Sequence, residues 1–180
     1  MDAFHGFVKK LVEGFEGAGL DYAFTGALAV SVYGVPRTTS DVDVMVAVAG
    51  EADVKSKVAG ALRQAGLEVD ERRIDAALVS GYRIATFKDK TTPYTVDVIL
   101  ASEVRKRAGT IAGVSTFFQA PEDLVLAKLR MIKATVPRER AVKDEEDVQA
   151  ILEFTKVDVE AVKKQAKQDK TLEMLESLIE

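Results

Sequence analysis

The sequence predicts an α/β (α+β) fold in which a mixed sheet is flanked by helices and followed by a helical C-terminal part. Apolar residues recur at helical spacing near the N-terminus, over residues 3–16. Valine-rich stretches with alternating apolar positions, 40–48 and 94–100, are typical of strands. The last third of the chain contains mainly helical patterns. This order favours a sheet domain over residues 1–119 and a helical part over residues 120–180 packed against it.

Turn and cap residues divide the chain further. Gly17, Gly34 and Gly66 each end a helical pattern. Pro121 begins another helix, with acidic residues in its first turn. The expected elements are, in order, a helix over 3–16, a strand over 20–24, a helix over 27–33, a strand over 40–48, a helix over 51–65, an edge strand over 67–73, strands over 82–87 and 94–100, a short helix over 101–108, a strand over 113–118, and helices from 121 and over 142–154, 159–168 and 171–179.

Composition excludes several functional classes. The net charge of −4 offers no chain-wide basic surface of the kind that binds nucleic acid. The chain has no cysteine, which excludes disulfides and thiolate metal sites, and no run approaches the ~18 apolar residues of a membrane span. The N-terminus lacks the apolar stretch and cleavage site of a signal peptide. We therefore expect a cytoplasmic protein. His5 is the only histidine, so the chain has no pair of histidines for metal binding or acid–base chemistry.

Two aspartates in the stretch 40–48 form the first candidate site. Asp41 and Asp43 lie two residues apart, so in a strand both carboxylates project from one side while the intervening valines point into the core. Paired carboxylates repel each other, and a hard divalent cation such as Mg²⁺ or Mn²⁺ removes that repulsion. For an isolated Asp-x-Asp, the favoured alternative is a turn at Asp41 and a solvated strand edge at Asp43.

Gly26 and Asp97 favour the metal site over that alternative. Gly26 ends a strand and begins a helix, so a phosphate can approach its backbone and the helix N-terminus attracts the charge. Asp97 shares one face of its strand with Thr95 and Ile99, between buried valines. Its alternative role is an ion pair at the edge of the core. Beside the two other aspartates, it would complete a site for two metal ions.

These residues resemble the signature of the DNA polymerase β-like nucleotidyltransferase superfamily. The matching pattern is Gly26-Ala27, thirteen intervening residues, Asp41-x-Asp43, and Asp97 on a later strand. The segment GVPRTTSDVDV is similar to a narrower prokaryotic branch that contains the toxins of abortive-infection type IV systems. The segments APEDLVLAKLRM and KDEEDV resemble the helical part of that branch. The resemblance covers residues 20–155.

The resemblance implies a nucleotidyltransferase-like fold and a metal-dependent enzyme. Such an enzyme transfers a nucleoside monophosphate from an NTP such as ATP to a hydroxyl of RNA, protein or a small molecule. Asp41 and Asp43 would hold Mg²⁺ (or Mn²⁺), and Asp97 would be a third metal ligand or the base for the acceptor's proton. The expected nucleotide-binding residues are Thr25, Gly26, Ala27, Ser31, Arg37, Thr39 and Lys128.

Ala27 departs from the family pattern, which usually has glycine or serine after the first glycine. Alanine keeps the backbone amide but lacks the hydroxyl, for which Thr25 or Ser31 are candidate substitutes. This departure favours the alternative of a nucleotide-binding regulatory module with weak or no turnover. A further alternative is a toxin–antitoxin component, with tRNA or a protein as acceptor and an antitoxin as partner.

Charged side chains downstream are further candidates. Arg37 either reaches a triphosphate or is a solvated loop residue. Lys128 either contacts the nucleotide or, more commonly for such a lysine, is solvated, and Asp144 either orients Lys128 or Arg130 or stabilises a helix N-terminus. The net positive stretch 128–143 is the best candidate for a surface facing RNA, although an exposed turn is the commoner explanation. The acid-rich C-terminal helices are predicted to be solvated, with a homodimer contact as a hypothesis.

Overall fold

The computed structural model describes residues 2–180, which form a seven-stranded mixed sheet and eight α-helices. The predicted fold class is confirmed. The helices are α1 (Ala3–Gly17), α2 (Gly26–Tyr33), α3 (Val54–Gln64), α4 (Glu71–Val79), α5 (Pro121–Ala134), α6 (Val142–Phe154), α7 (Val159–Asp169) and α8 (Leu172–Ile179). The strands are β1 (Tyr22–Thr25), β2 (Asp41–Ala47), β3 (Leu67–Glu68), β4 (Ile84–Asp89), β5 (Thr95–Ala101), β6 (Lys106–Ile111) and β7 (Val114–Gln119).

Strand β2 lies at the centre of the sheet, whose order is β3-β4-β5-β2-β1-β7-β6. It pairs with β5 in parallel and with β1 antiparallel, and β1 in turn pairs with β7 in parallel. Both edges of β2 are therefore occupied by neighbouring strands, and its side chains are held in a fixed register with those of β1 and β5.

The two faces of the central strands differ in burial. Val42, Val44 and Val46 of β2 are fully buried, as is Val96 of β5. Burying a valine side chain contributes about 1.5–3 kcal/mol, so these positions fix which face of the strand turns inward. The alternate positions, beginning with Asp41, form a face that is only partly covered.

The predicted edge strand over 67–73 is wrong for most of its length. Strand β3 ends at Glu68, and helix α4 begins at Glu71. The reason is local, because the Asp70 side chain accepts a hydrogen bond from the backbone N–H of Arg72 and caps the new helix.

The predicted short helix over 101–108 is also wrong. Strand β5 continues to Ala101, and β6 begins at Lys106 as the edge strand of the sheet. Strand β6 pairs with β7 in an antiparallel hairpin over its whole length. Its residues are mostly exposed, so the strand depends on that backbone pairing and carries no strong hydrophobic pattern.

After the sheet ends at Gln119, the helices α5 to α8 pack beside it. Pro121 begins α5, whose buried side chains include the expected Leu124, Leu126, Leu129 and Ile132. Helix α6 approaches the end of α2 closely, since a Cβ at Gly34 would lie 3.0 Å from the Cβ of Ala150. Within residues 2–180, no helix is long and apolar enough to cross a bilayer.

Candidate active site

Polar side chains from five strands lie side by side across the partly covered face of the sheet. In register, Thr86 of β4 pairs with Asp97 of β5, and Asp97 pairs with Asp43 of β2. Asp43 also pairs with Thr25 of β1, whose Oγ1 donates a hydrogen bond of 2.6 Å to Gln119 Oε1 of β7. Register partners project from the same side of a sheet. We name these residues the polar row: Thr86, Asp97, Asp43, Thr25 and Gln119.

The outer carboxylates of the site each have a threonine partner. Thr86 Oγ1 donates to Asp97 Oδ1 at 2.5 Å, and Thr95 Oγ1 donates to Asp41 Oδ1 at 2.6 Å. Among residues 2–180, no hydrogen bond reaches the Asp43 carboxylate, which lies between them. The interpretation of Asp97 as a partner of lysine or arginine is therefore wrong, because its partner is a hydroxyl.

Asp43 is the electrostatic centre of this face. It is half-buried on the central strand, so the interpretation of a solvated strand edge is wrong. Burial, together with the neighbouring charges of Asp97 and Asp41, raises the pKa of Asp43 to about 6, against a lowering by Lys128. The site therefore holds negative charge that lacks full compensation, and a cation placed there would lower the free energy of the ionised form.

The carboxylates are not gathered around a single point. Over the described residues 2–180, no three or more His, Cys, Asp or Glu side chains are arranged to hold a metal ion. The carboxylates of Asp41 and Asp97 accept hydrogen bonds from Thr95 and Thr86 instead.

Gly26 is required by the close approach of Asp43. Its φ of +56° lies in the left-handed region, and a Cβ at this position would collide with the Asp43 carboxylate. Gly26 also begins α2, where the N-cap residue Thr25 makes no side-chain cap because its hydroxyl binds Gln119. The first amides of α2, including that of Ala27, therefore lack a capping side chain beside the carboxylates.

Three of the expected nucleotide-binding residues line one cavity of about 580 Å³, namely Ser31, Arg37 and Thr39. The Ser31 hydroxyl donates to Ala27 O at 2.8 Å and accepts from the Arg37 backbone N–H at 3.2 Å. Thr39 Oγ1 donates to Asp41 O at 2.9 Å. These hydroxyls therefore hold the loop between α2 and β2 in the conformation that delivers Asp41 to the site.

Beneath this loop lies a cluster that we name the charged network: Arg37, Lys128, Asp144 and Asp147. Lys128 Nζ donates to Asp144 Oδ1 at 2.7 Å and lies 2.7 Å from Asp147 Oδ2, the latter without hydrogen-bond geometry. Arg37 Nη1 donates to Asp147 Oδ1. Lys128 is only 6% exposed, so the interpretation of a solvated lysine is wrong. Both roles considered for Asp144 are compatible with its position, since it contacts Lys128 and lies in the first turn of α6.

The role of Asp147 as a partner of Lys128 and Arg37 was not predicted from the sequence. The signal that could have indicated it is spacing, because Asp147 lies three residues after Asp144 and so shares a face of α6 with it. Farther along, Arg130 lies 2.6 Å from Asp169 and Arg138 lies 2.9 Å from Glu145. These ion pairs compensate part of the positive charge of the stretch 128–143, which weakens its candidacy as a surface for RNA.

Solved structures with a similar fold are nucleotidyltransferases or resemble them. The antibiotic-resistance factor ANT(2'')-Ia in solution is 13% identical, with a TM-score of 0.58, and the match covers 84% of this chain and 90% of that chain. ANT(2'')-Ia in complex with adenylyl-2''-tobramycin is 13% identical, with a TM-score of 0.59 and coverages of 83% and 88%. An antigenic nucleotidyltransferase-like protein from Paracoccidioides brasiliensis is 14% identical, with a TM-score of 0.55 and coverages of 84% and 77%.

No family model matches the chain, and no curated protein matches it in sequence. At identities this low, the likeness to solved structures establishes the fold. The nucleotidyltransferase-like fold expected from the resemblance is thereby confirmed.

Proposed function

We propose that this chain is a metal-dependent nucleotidyltransferase that moves a nucleoside monophosphate from an NTP to a hydroxyl group. The observation that carries the proposal is the registered pair of Asp43 and Asp97 on adjacent parallel strands, with Asp41 on the same face and Gly26 beside it. The similar fold of ANT(2'')-Ia, which was solved with an adenylylated tobramycin, supports this class of reaction.

The residues on this face fit a hard divalent cation. The three side chains offer only carboxylate oxygens, which are the ligands that Mg²⁺ (or Mn²⁺) prefers. Asp43, which has no hydrogen-bond partner within residues 2–180, would hold the ion together with Asp41 and Asp97, whose carboxylates accept from Thr95 and Thr86 in this structure. When bound, the ion supplies charge neutralisation for the phosphates and for the leaving group.

The nucleotide would lie against the start of α2. The backbone amides of Gly26 and Ala27 would donate to its phosphates, which the helix dipole also favours. Lys128 would act through its positive charge, since it already lowers the pKa of Asp43. The remaining members of the proposed nucleotide site are Thr25, which shapes the turn, and Ser31, Arg37 and Thr39, which line the adjoining cavity.

In the reaction, the acceptor's hydroxyl oxygen bonds to the α-phosphorus of the NTP. The bond between that phosphorus and the oxygen bridging to the β-phosphorus breaks, and pyrophosphate leaves. The hydroxyl proton would pass to the carboxylate of Asp97, which lies next to Asp43 in the polar row. Positioning and charge neutralisation require little further chemistry from the protein.

The direct test incubates the purified chain with Mg²⁺, each α-labelled NTP and a set of hydroxyl acceptors that includes cellular RNA and protein. We expect the label to appear in one acceptor class with the wild type and with Asp75→Asn, an exposed control on α4, but not with Asp43→Asn. Equal labelling by Asp43→Asn would contradict the proposal. Labelled RNA together with a co-purifying inhibitor protein would support the toxin–antitoxin branch.

A second candidate function is nucleotide binding without turnover, and Ala27 favours it because the serine hydroxyl of the family pattern is missing. The Thr25 and Ser31 hydroxyls already bind protein groups. If this candidate is correct, the wild type will bind NTP and Mg²⁺ without labelling any acceptor, and Ala27→Ser will introduce measurable transfer.

A further inference from the structure

A cleft of about 730 Å³ opens beside the polar row, between the sheet and helices α5 and α7. Met45, which follows Asp43 on the same face of β2, forms part of its wall, and so does Gln119 of the polar row. The volume lies within the range of about 300–1,000 Å³ that is typical of small-molecule sites. A molecule bound in this cleft would therefore lie next to the carboxylates.

Gln119 supplies a fixed amide donor on the cleft wall. The residue is only 7% exposed, and its Oε1 accepts from Thr25 Oγ1 at 2.6 Å. Its main-chain oxygen accepts from Tyr33 Oη at 2.9 Å. Within residues 2–180, no hydrogen bond engages the side-chain Nε2, and this atom is not one of the buried unpartnered atoms. Because the side chain is held in place through its oxygen, Nε2 is free to donate to a ligand oxygen in the cleft.

Three carboxylates of the cleft wall have no hydrogen-bonded cationic partner within residues 2–180. Glu103 makes no hydrogen bond or ion pair there. Glu122 accepts from the backbone N–H of Asp158 at 2.9 Å and forms a long ion pair of 3.9 Å with Arg107. Asp158 caps α7 by accepting from the backbone N–H of Ala161 at 3.0 Å. Hydrogen bonds to backbone amides leave the negative charge of these carboxylates in place.

The wall carries more carboxylates than arginines, four against two. Arg105 Nε donates to Asp123 Oδ2 at 2.8 Å, and its charge also interacts more weakly with Glu122 and Glu103. Arg130 forms an ion pair of 2.6 Å with Asp169, a residue that does not line the cleft. The field in a concave site with low-dielectric walls is focused, so the excess of carboxylates attracts cations into the cleft.

We infer that this cleft binds the acceptor, and that the acceptor is a small organic cation carrying hydroxyl groups. This inference rests on the proposed function. The carboxylates of Glu103, Glu122 and Asp158 bind the ammonium groups of the acceptor, and Gln119 Nε2 donates to one of its oxygens. A neighbouring hydroxyl of the acceptor then faces Asp97 and Asp43. A polynucleotide fits poorly, because its phosphates would lie against the same carboxylates.

Binding is measured by calorimetry on Asp43→Asn protein, so that the result does not depend on turnover. Three probes are compared. Tobramycin is a polycation that carries hydroxyl groups, spermine is a polycation without hydroxyl groups, and maltotriose is a neutral polyol. We expect tobramycin to bind and maltotriose not to bind. In Glu103→Gln/Glu122→Gln protein, the affinity for tobramycin should fall about tenfold or more, which corresponds to the loss of ~1.4 kcal/mol. The matched control Glu13→Gln/Glu173→Gln, on exposed faces of α1 and α8, should be unchanged.

Gln119→Met tests the hydrogen bond to the ligand separately from the attraction between charges. This substitution should weaken tobramycin about fivefold and leave spermine unchanged, because only tobramycin offers an oxygen to Nε2. Equal binding of tobramycin and maltotriose, or unchanged affinity in Glu103→Gln/Glu122→Gln, would overturn the inference. If the wild type labels RNA while no cation binds, the inference fails and the proposed function stands. If tobramycin binds as expected but the wild type transfers no label, the proposed function fails and the cleft remains a cation site.

Discussion

The polar row and the charged network lie close together but differ in how far their charges are compensated by neighbouring side chains. In the charged network, Lys128 contacts both Asp144 and Asp147, and Arg37 reaches Asp147 as well. In the polar row, Asp43 faces Asp97 with no cation in hydrogen-bonding contact within residues 2–180. The first arrangement contributes its charges to holding α5, α6 and the α2–β2 loop together. The second retains repulsion, which a bound cation would relieve, and this is the expected property of a functional site.

The largest expected effect comes from Asp43. Asp43→Asn keeps the shape of the side chain but removes its charge, and we expect transfer to fall by ~10³-fold, since metal and charge stabilisation are worth several kcal/mol. Label transfer under single-turnover conditions measures the change. Binding of the NTP should persist, because the amides of Gly26 and Ala27 are untouched. Transfer within tenfold of the wild type would show that the polar row is not the reaction centre.

Asp147 tests the charged network. Asp147→Ala leaves Lys128 with one partner and Arg37 with none, and breaking a buried pair in this way should lower the free energy of unfolding by ~3 kcal/mol. Urea denaturation measures the change. Asp144→Ala is the matched control and should have a smaller effect, because Lys128 keeps Asp147 and Arg37 is undisturbed. Equal losses of unfolding free energy in both variants would show that Asp147 contributes no more to the network than Asp144 does.

The stability of the fold should depend on pH through Asp43. Its pKa is about 6 in the folded chain against an ordinary 3.8, so the folded state binds the proton more tightly than the unfolded state does. This contribution is fully present below about pH 4 and is lost as the pH rises through about 6; it amounts to at most about 3 kcal/mol, less the screening by solvent at this half-buried site. The difference in urea stability between wild type and Asp43→Asn, followed from pH 4 to 8, isolates it. A difference that does not vary with pH would contradict the assignment.

The smallest expected effect comes from Gly26. Gly26→Ala should lower stability by ~1–2 kcal/mol, because alanine is strained at positive φ and its Cβ collides with Asp43. Thermal unfolding measures the change. In an Asp43→Ala background the contacts with the carboxylate are removed and only the 3.2 Å approach to the Cβ of residue 43 remains, so the same substitution should cost less. An identical loss in both backgrounds would show that backbone strain alone requires glycine here.

Much of the candidate site follows from local rules. The alternation of side chains along a strand places Asp41 with Asp43 and places Asp97 opposite the buried valines. A glycine between a strand and a helix predicts an anion-binding turn at Gly26. Neither rule depends on what lies next to the strand, which explains why both can be read without coordinates.

Other parts of the site depend on register. Thr86 and Thr95 become partners of Asp97 and Asp41 only because β4, β5 and β2 align as they do. Gln119 has no local signal, since its contact with Thr25 exists only because β7 pairs with β1. The wrong prediction over 101–108 has the same origin, because β6 forms by pairing with β7. The wrong prediction over 67–73 has a local cause, because Asp70 caps a helix that begins at Glu71.

By itself, the sequence determined the order of most elements and the buried face of β2, and it predicted a role for the three aspartates, because these follow from the spacing of neighbouring residues. Only the tertiary structure decided that Asp43 and Asp97 are register partners, that Lys128 is buried between two carboxylates, and that Gln119 faces an acidic cleft. Those contacts join residues far apart in the chain. They are set by strand pairing and helix packing, which no local pattern specifies.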